Sequence, residues 1–138
     1  MQKKSKLSLT DAMQLSLFIQ QHAEKNNWHP SIVIVDHSTQ ALLAHRHELA
    51  KPGTLAAAEK KALCAHAFQM PTATWGERLT KGEHWVTTMP GVIAAAGGVP
   101  IEVDGEFIGA VGVSGSSQEA DHETAQEAVQ RFCRSLKL

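Results

Sequence analysis

The chain has 138 residues, 43% of them hydrophobic, which predicts a single domain over 1–138 that folds around one core. Its formal net charge is −1, which excludes general binding to nucleic acid or to anionic membranes, because both partners select a basic surplus. No apolar run is long enough to span a bilayer or to serve as a signal peptide, so we expect a cytoplasmic protein. Residues 1–6 are polar and basic and predict a flexible tail.

The first half of the chain predicts a helix, a β-hairpin and then more helix. Ser8 and Asp11 form a capping-box pattern, and the apolar residues after it recur at helical spacing as far as the asparagines at 26–27. The β-branched run at 31–37 predicts a buried strand, with a hairpin partner at 41–47. A second helix is predicted over 54–69 and a short one over 72–82, followed by a loop over 82–91.

The second half predicts strands and a closing helix. Apolar runs at 92–96 and 99–103 each predict a strand, and Asp104 with Gly105 predicts a type I′ turn into a returning strand at 106–114. Ser116 and Glu119 have the spacing of a capping box for the last helix. Tight turns make neighbouring strands antiparallel. The fold class is therefore α+β, with one antiparallel sheet of about five strands and helices packed on it.

Two histidines on the predicted hairpin are candidate metal ligands. His45 and His47 lie two residues apart on a strand, so their side chains share one face, and two imidazoles on one face suit a transition metal. Asp36 or His37 on the neighbouring strand would have to supply a third ligand. The alternative is a pair of surface histidines without a metal.

A second candidate lies in the loop at 82–91. His84 is next to Trp85 there, and neutral imidazole ligates haem iron, as the thioether of Met89 does more weakly. Trp75 and Trp85 would offer flat apolar surface to a ring-shaped ligand. The alternative is a loop anchored by one tryptophan, with His84 in solvent.

Lys61 is a candidate because it lies among alanines on the second predicted helix. If that face is buried, the ammonium must be paired or functional; otherwise Lys61 is a solvent-facing lysine like Lys60. Gly97 and Gly98 mark a bend or a close approach of backbones. Phosphate-loop and nucleophile motifs are missing, so the sequence favours a binding protein over an enzyme.

Several segments together resemble the GlcG/HbpS family, which includes haem-binding proteins and the C-terminal domain of PduO-type proteins. The resemblance extends from about residue 7 to residue 132. It rests on the following segments and residues: 7–12 (LSLTDA), 35–36 (VD), 42–43 (LL), Arg46, Ala50, Thr54, Ala58, Lys61, Ala62, 97–101 (GGVPI), 109–115 (GAVGVSG) and Asp121. His47 stands where the family usually has methionine, and Glu48 stands where it usually has aspartate.

The resemblance implies a profilin-like three-layer α/β/α domain that forms homodimers or larger homo-oligomers. It also implies haem, or a related tetrapyrrole or metal ligand, as the small-molecule partner, and it supplies no catalytic residues. We expect such a ligand in a hollow shared by Arg46, Lys61, His84 and the bend at Gly97 and Gly98. There a basic side chain would hold a carboxylate and a histidine would meet the metal.

Two alternatives stay open. The first is an enzyme or accessory factor for a small carboxylated metabolite of glycolate-type or diol metabolism. Arg46 would then bind the acid, while Asp36, Lys61 or a histidine would move protons. The second is a structural assembly subunit whose exposed groups have no ligand.

Overall fold

The computed structural model describes residues 6–137, so the predicted tail lies outside the described residues except for Lys6. The helices are α1 (Leu9–Lys25), α2 (Gly53–Phe68), α3 (Ala73–Thr80) and α4 (Gln118–Ser135), with a 3₁₀ helix over His84–Thr88. The strands are β1 (Ser31–Asp36), β2 (Ala41–Arg46), β3 (Gly98–Val103) and β4 (Glu106–Ser114).

The strands form one antiparallel sheet in the order β2-β1-β4-β3. The predicted α+β class and the antiparallel sheet are confirmed, but the sheet has four strands within residues 6–137, and the strand predicted at 92–96 is wrong. That segment is irregular, and its apolar side chains Val92, Ile93 and Ala94 pack on Trp75 and Val86. Short apolar runs are ambiguous because burial against a helix needs the same residues as burial in a sheet.

Side-chain alternation along β1 builds the three layers. Ile32 and Ile34 join the core on one face, together with apolar residues of α1 and α4. Val33 and Val35 point to the opposite face and pack on the alanines of α2. The predicted three-layer α/β/α arrangement is thus confirmed, with two helices on one side of the sheet and α2 on the other.

The close approach of α2 to the sheet positions the functional residues. A Cβ atom on Gly112 of β4 would lie 1.9 Å from the backbone oxygen of Ala58, so only glycine fits beneath the helix. This contact brings the middle of α2 directly over the end of β4. Lys61, less than one turn further along α2, can therefore reach the end of the sheet.

Across residues 6–137, every helix is too short or too polar to traverse a bilayer.

Candidate ligand-binding site

Lys61 is the most unusual buried residue of the site, with only 4% of its surface exposed. Its Nζ donates to the backbone oxygen of Val113 at 3.0 Å and to Asp121 Oδ2 at 3.4 Å. A Cβ on Gly97 would lie 3.1 Å from that Nζ, so the glycine leaves room for the ammonium. Of the two readings of Lys61, the structure thus supports the buried and paired one.

Asp121 holds the ammonium from the first turn of α4. Its Oδ1 accepts from the backbone N–H of Ser116 at 3.0 Å, and its Oδ2 accepts from that of Gly115 at 3.3 Å. Burial raises the pKa of the Asp121 carboxyl, and the charge of Lys61 and these two amides oppose the rise. Burial also lowers the pKa of Lys61, and the charge of Asp121 opposes that shift. The pair therefore joins α2, β4 and α4 at one point.

A cleft of about 310 Å³ opens beside this pair, and we call it the polar cleft. The closing helix is capped by Ser117, whose side chain accepts from Ala120 N–H, so the predicted cap at Ser116 is wrong by one residue. Ser116 is consequently left on the wall of the cleft. The lining residues are Lys51, Thr54, Lys61, Ala95, Ala96, Ser114, Gly115, Ser116, Gln118 and Asp121.

A larger open cleft of about 750 Å³, the wide cleft, adjoins the polar cleft. Ala96 and Gln118 lie on the walls of both clefts, and Gln118 Oε1 accepts from the Ala96 N–H at 2.7 Å. This hydrogen bond forms the partition between the two spaces. The wide cleft is lined by Ala73, Gly76, Glu77, Leu79, Thr80, Lys81, Ala94, Ala96, Gln118, Glu119 and His122.

His122 is the histidine of the wide cleft, and sequence reasoning missed it. Its Nδ1 is buried and has no hydrogen-bond partner among residues 6–137. Because it follows Gln118 by four residues, the two side chains share one face of α4. That spacing was the available signal, but the sequence alone did not show that this face borders a cleft.

None of the four clefts described among residues 6–137 has Arg46, Lys61 and His84 together on its walls. Arg46 Nη1 donates to three backbone oxygens of the loop after β2, including Ala50 at 2.7 Å, so its guanidinium stabilises that loop. His84 is exposed at the start of the 3₁₀ helix. Neither residue lines the polar cleft that Lys61 lines. The three residues were grouped on chemical grounds alone, because the sequence gives no distances between the elements that carry them.

Gly97 and Gly98 lie beside Lys61, where the sequence suggested a bend or a close approach of backbones. A Cβ on Gly98 would lie 2.2 Å from the backbone oxygen of Lys61, and Gly97 has φ +129°. Thr72 further fixes the bend, because its Oγ1 accepts from the Gly98 N–H at 2.9 Å. The structure thus brings Gly97 and Gly98 against Lys61, as a supporting wall for its side chain.

His45 and His47 both line a third, small cleft of about 110 Å³ beside Trp28. His45 Nε2 is 2.8 Å from Ser16 Oγ, and His47 Nδ1 accepts from the Leu49 N–H at 3.0 Å. Burial, and to a lesser degree nearby His47, lowers the pKa of His45. Within residues 6–137 no three His, Cys, Asp or Glu side chains are grouped for a metal ion.

Asp36 is too far from these histidines to complete a metal site. His45 pairs with Ile32, and Asp36 lies four residues further along β1, about 13 Å away at the rise of an extended strand. Its Oδ1 instead accepts from the N–H groups of Ser38 and Gln40 and stabilises the hairpin turn. The suggested third ligand therefore has a structural role.

The fold and the two joined clefts define a three-layer α/β/α protein with a ligand-sized opening between α3 and α4. A family model described as haem degrading protein HbpS-like matches residues 7–130, and the chain belongs to this HbpS-like family. The resemblance noted from the sequence is confirmed.

Individual relatives support the same family. Protein GlcG of Escherichia coli strain K12 is 34% identical over 113 residues, which cover 80% of this chain and 84% of that protein. Protein ORFY of Klebsiella pneumoniae has a TM-score of 0.84 at 26% identity, covering 96% of this chain and 94% of that one. A double mutant of Streptomyces reticuli HbpS has a TM-score of 0.82 at 26% identity, covering 95% and 90%. A structure described as a PduOC:heme complex has a TM-score of 0.80 at 27% identity, covering 91% and 94%.

Proposed function

We propose that this chain is a ligand-binding protein for haem or a related tetrapyrrole, which binds in the wide cleft. The observation that carries the proposal is the position of His122 on the wall of a cleft of about 750 Å³. Clefts that hold cofactors span about 300–1,000 Å³ and combine apolar walls with a few polar groups. The size of the cleft and the imidazole on its wall both suit a metal-bearing ring.

The lining residues match the parts of such a ligand. Ala73, Leu79 and Ala94 offer apolar surface to a macrocycle, and the ammonium of Lys81 offers a partner for a propionate. His122 would supply a nitrogen to the iron, which is the chemistry that haem adds when bound. His84, the ligand expected from the sequence, is the rival, because an exposed histidine can also ligate iron at the edge of a ligand.

The family supports the same ligand class. The family description names haem degradation, and one structural relative is described as a haem complex. Neither description identifies the residue that ligates iron in this chain. The histidines are therefore distinguished by experiment.

A haemin titration followed at the Soret band tests the proposal. We expect a saturable complex of one haem per chain, a changed spectrum and weaker binding for His122→Ala, and an unchanged spectrum for His84→Ala, the matched control. A spectrum altered only in His84→Ala would move the ligand to the 3₁₀ helix. No stoichiometric complex with the unmodified protein would refute haem binding altogether.

We also propose that the protein associates with further copies of itself through α1. Leu9, Met13 and Leu17 are large, exposed and spaced four residues apart, so they form one stripe on this helix. Residues 12–21 carry no formal charge. Interface cores are depleted in charge and enriched in methionine, which suits a second copy packing α1 against α1.

A further inference from the structure

Among residues 6–137, the ammonium of Lys61 has fewer acceptors than donors. A lysine has three N–H donors, and those of Lys61 have two acceptors, Val113 O and Asp121 Oδ2, within residues 6–137. The side chain is 95% buried, and it lines the polar cleft. Because a buried ammonium is costly unless its donors are satisfied, an acceptor in the cleft would lower the free energy of this site.

Ser114 contributes a hydroxyl group to the lining of the same cleft. It is 7% exposed, and its hydroxyl has no hydrogen-bond partner among residues 6–137. Alternation along β4 turns Ser114 towards α2, on the same side of the sheet as Gly112, and it lines the polar cleft with Lys61. Two nearly buried residues with hydrogen-bond donors, Ser114 and Lys61, thus line one cavity.

The charges around the polar cleft favour an anion. Among residues 6–137 the lining has two cationic residues, Lys51 and Lys61, and one acidic residue, Asp121, so these residues carry a formal charge of +1. Asp121 already accepts from Lys61 and from two backbone N–H groups, so its oxygens are engaged. Lys51 is exposed, and its charge acts at the solvent side.

We propose that the polar cleft binds a carboxylate group, with the Lys61 ammonium and the Ser114 hydroxyl as donors and Lys51 as a guiding charge. The cleft has room for about ten water volumes, which suits a small organic acid. Equally, the carboxylate can belong to a larger ligand that enters from the wide cleft past Gln118. The two sources share one recognition chemistry, and experiment separates them.

Amide chemical shifts of ¹⁵N-labelled full-length protein, titrated with sodium acetate against sodium chloride at matched ionic strength, test the site. We expect saturable shifts confined to the amides around Ser114, Gly115 and Ser116. Ser114→Ala should weaken acetate binding about three- to tenfold while leaving the Lys61–Asp121 pair in place. Lys51→Gln should weaken it about two- to fivefold, mostly at low salt, whereas Lys60→Gln, an exposed lysine on α2, should change nothing.

Competition between acetate and haemin identifies which molecule supplies the carboxylate. If a free acid is the ligand, acetate binds equally with and without haemin. If the carboxylate belongs to the tetrapyrrole, haemin displaces acetate and haemin dimethyl ester does not. The inference is overturned if acetate produces no saturable shift and haemin and its dimethyl ester bind alike. It is also overturned if Ser114→Ala matches the unmodified protein in both assays. Haem binding that depends on His122 can succeed or fail independently of these results.

Discussion

Lys61 Nζ and Asp121 Oδ2 lie 3.4 Å apart, both nearly fully buried and 60 residues apart in the chain. The pair connects the helix on one face of the sheet with the start of the helix on the other. Burying two charges costs desolvation energy, which is offset only when the contact between them has good geometry. Removal of one partner leaves the other charge buried and uncompensated. Both the stability of the fold and the chemistry of the polar cleft therefore depend on this contact.

Breaking the pair should destabilise the fold strongly. We expect Lys61→Met to lower the free energy of unfolding by about 3–5 kcal/mol, because Asp121 would lose its counter-charge inside the protein. Asp121→Asn should cost a similar amount, and the double variant should cost less than the sum of the two. Urea denaturation measures all three. Lys60→Met, on the exposed side of α2, should stay within about 0.5 kcal/mol. Strictly additive costs would show that the two residues act independently.

Replacement of Gly112 by alanine should destabilise the fold. A Cβ there would lie 1.9 Å from the Ala58 backbone oxygen, so α2 would have to move away from the sheet. We expect Gly112→Ala to cost about 1–3 kcal/mol or more, as overpacking does. Gly53→Ala is the control: nothing lies within 4 Å of its Cβ position, and alanine suits the first turn of a helix. Thermal unfolding should therefore show a lower Tm for Gly112→Ala and an unchanged or higher one for Gly53→Ala.

Local patterns predicted the elements well. Ser8 and Asp11 form the expected capping box, and Asp104 and Gly105 adopt φ values of 52° and 82°, both positive as a type I′ turn requires. These features depend on residues that are neighbours in sequence. Two local predictions were wrong. The cap was assigned to Ser116 because either of two adjacent serines can cap the helix. The strand was assigned to 92–96 because a short apolar run can be buried in a sheet or against a helix.

The candidate site was less predictable because it depends on contacts between distant segments. Lys61 and Gly97 were selected from sequence, and they do lie together. The packing of α4 beside the end of β4 determines which partner Lys61 has and where Ser114 and His122 lie. Neither composition nor residue spacing predicts how these two elements pack. Arg46 was selected because its charge could bind a carboxylate, but its guanidinium donates to backbone oxygens instead.

Acid should weaken the fold partly through His45. Its pKa is lowered from 6.5 by burial and by His47, so just below pH 6.5 the unfolded chain binds more protons than the folded one. The free energy of unfolding therefore falls as the pH drops from 6.5 towards the lowered pKa. His45→Gln should show a smaller fall between pH 7.5 and 5.5 in urea denaturation. His84→Gln, which removes an exposed imidazole, is the matched control, and equal falls in both variants would contradict this role of His45.

Self-association should depend on the stripe formed by Leu9, Met13 and Leu17 on α1. Leu17→Glu introduces a charge in the middle of an uncharged face, and burying that charge between two copies would cost several kcal/mol. We expect light scattering after size exclusion to show a smaller assembly for Leu17→Glu, with unchanged circular dichroism because the side chain is exposed. Leu49→Glu changes a leucine that lies away from α1 and is more exposed than Leu17, so it should leave the assembly intact. If Leu17→Glu keeps the unmodified mass while Leu49→Glu dissociates, the interface lies at the loop after β2 and not on α1.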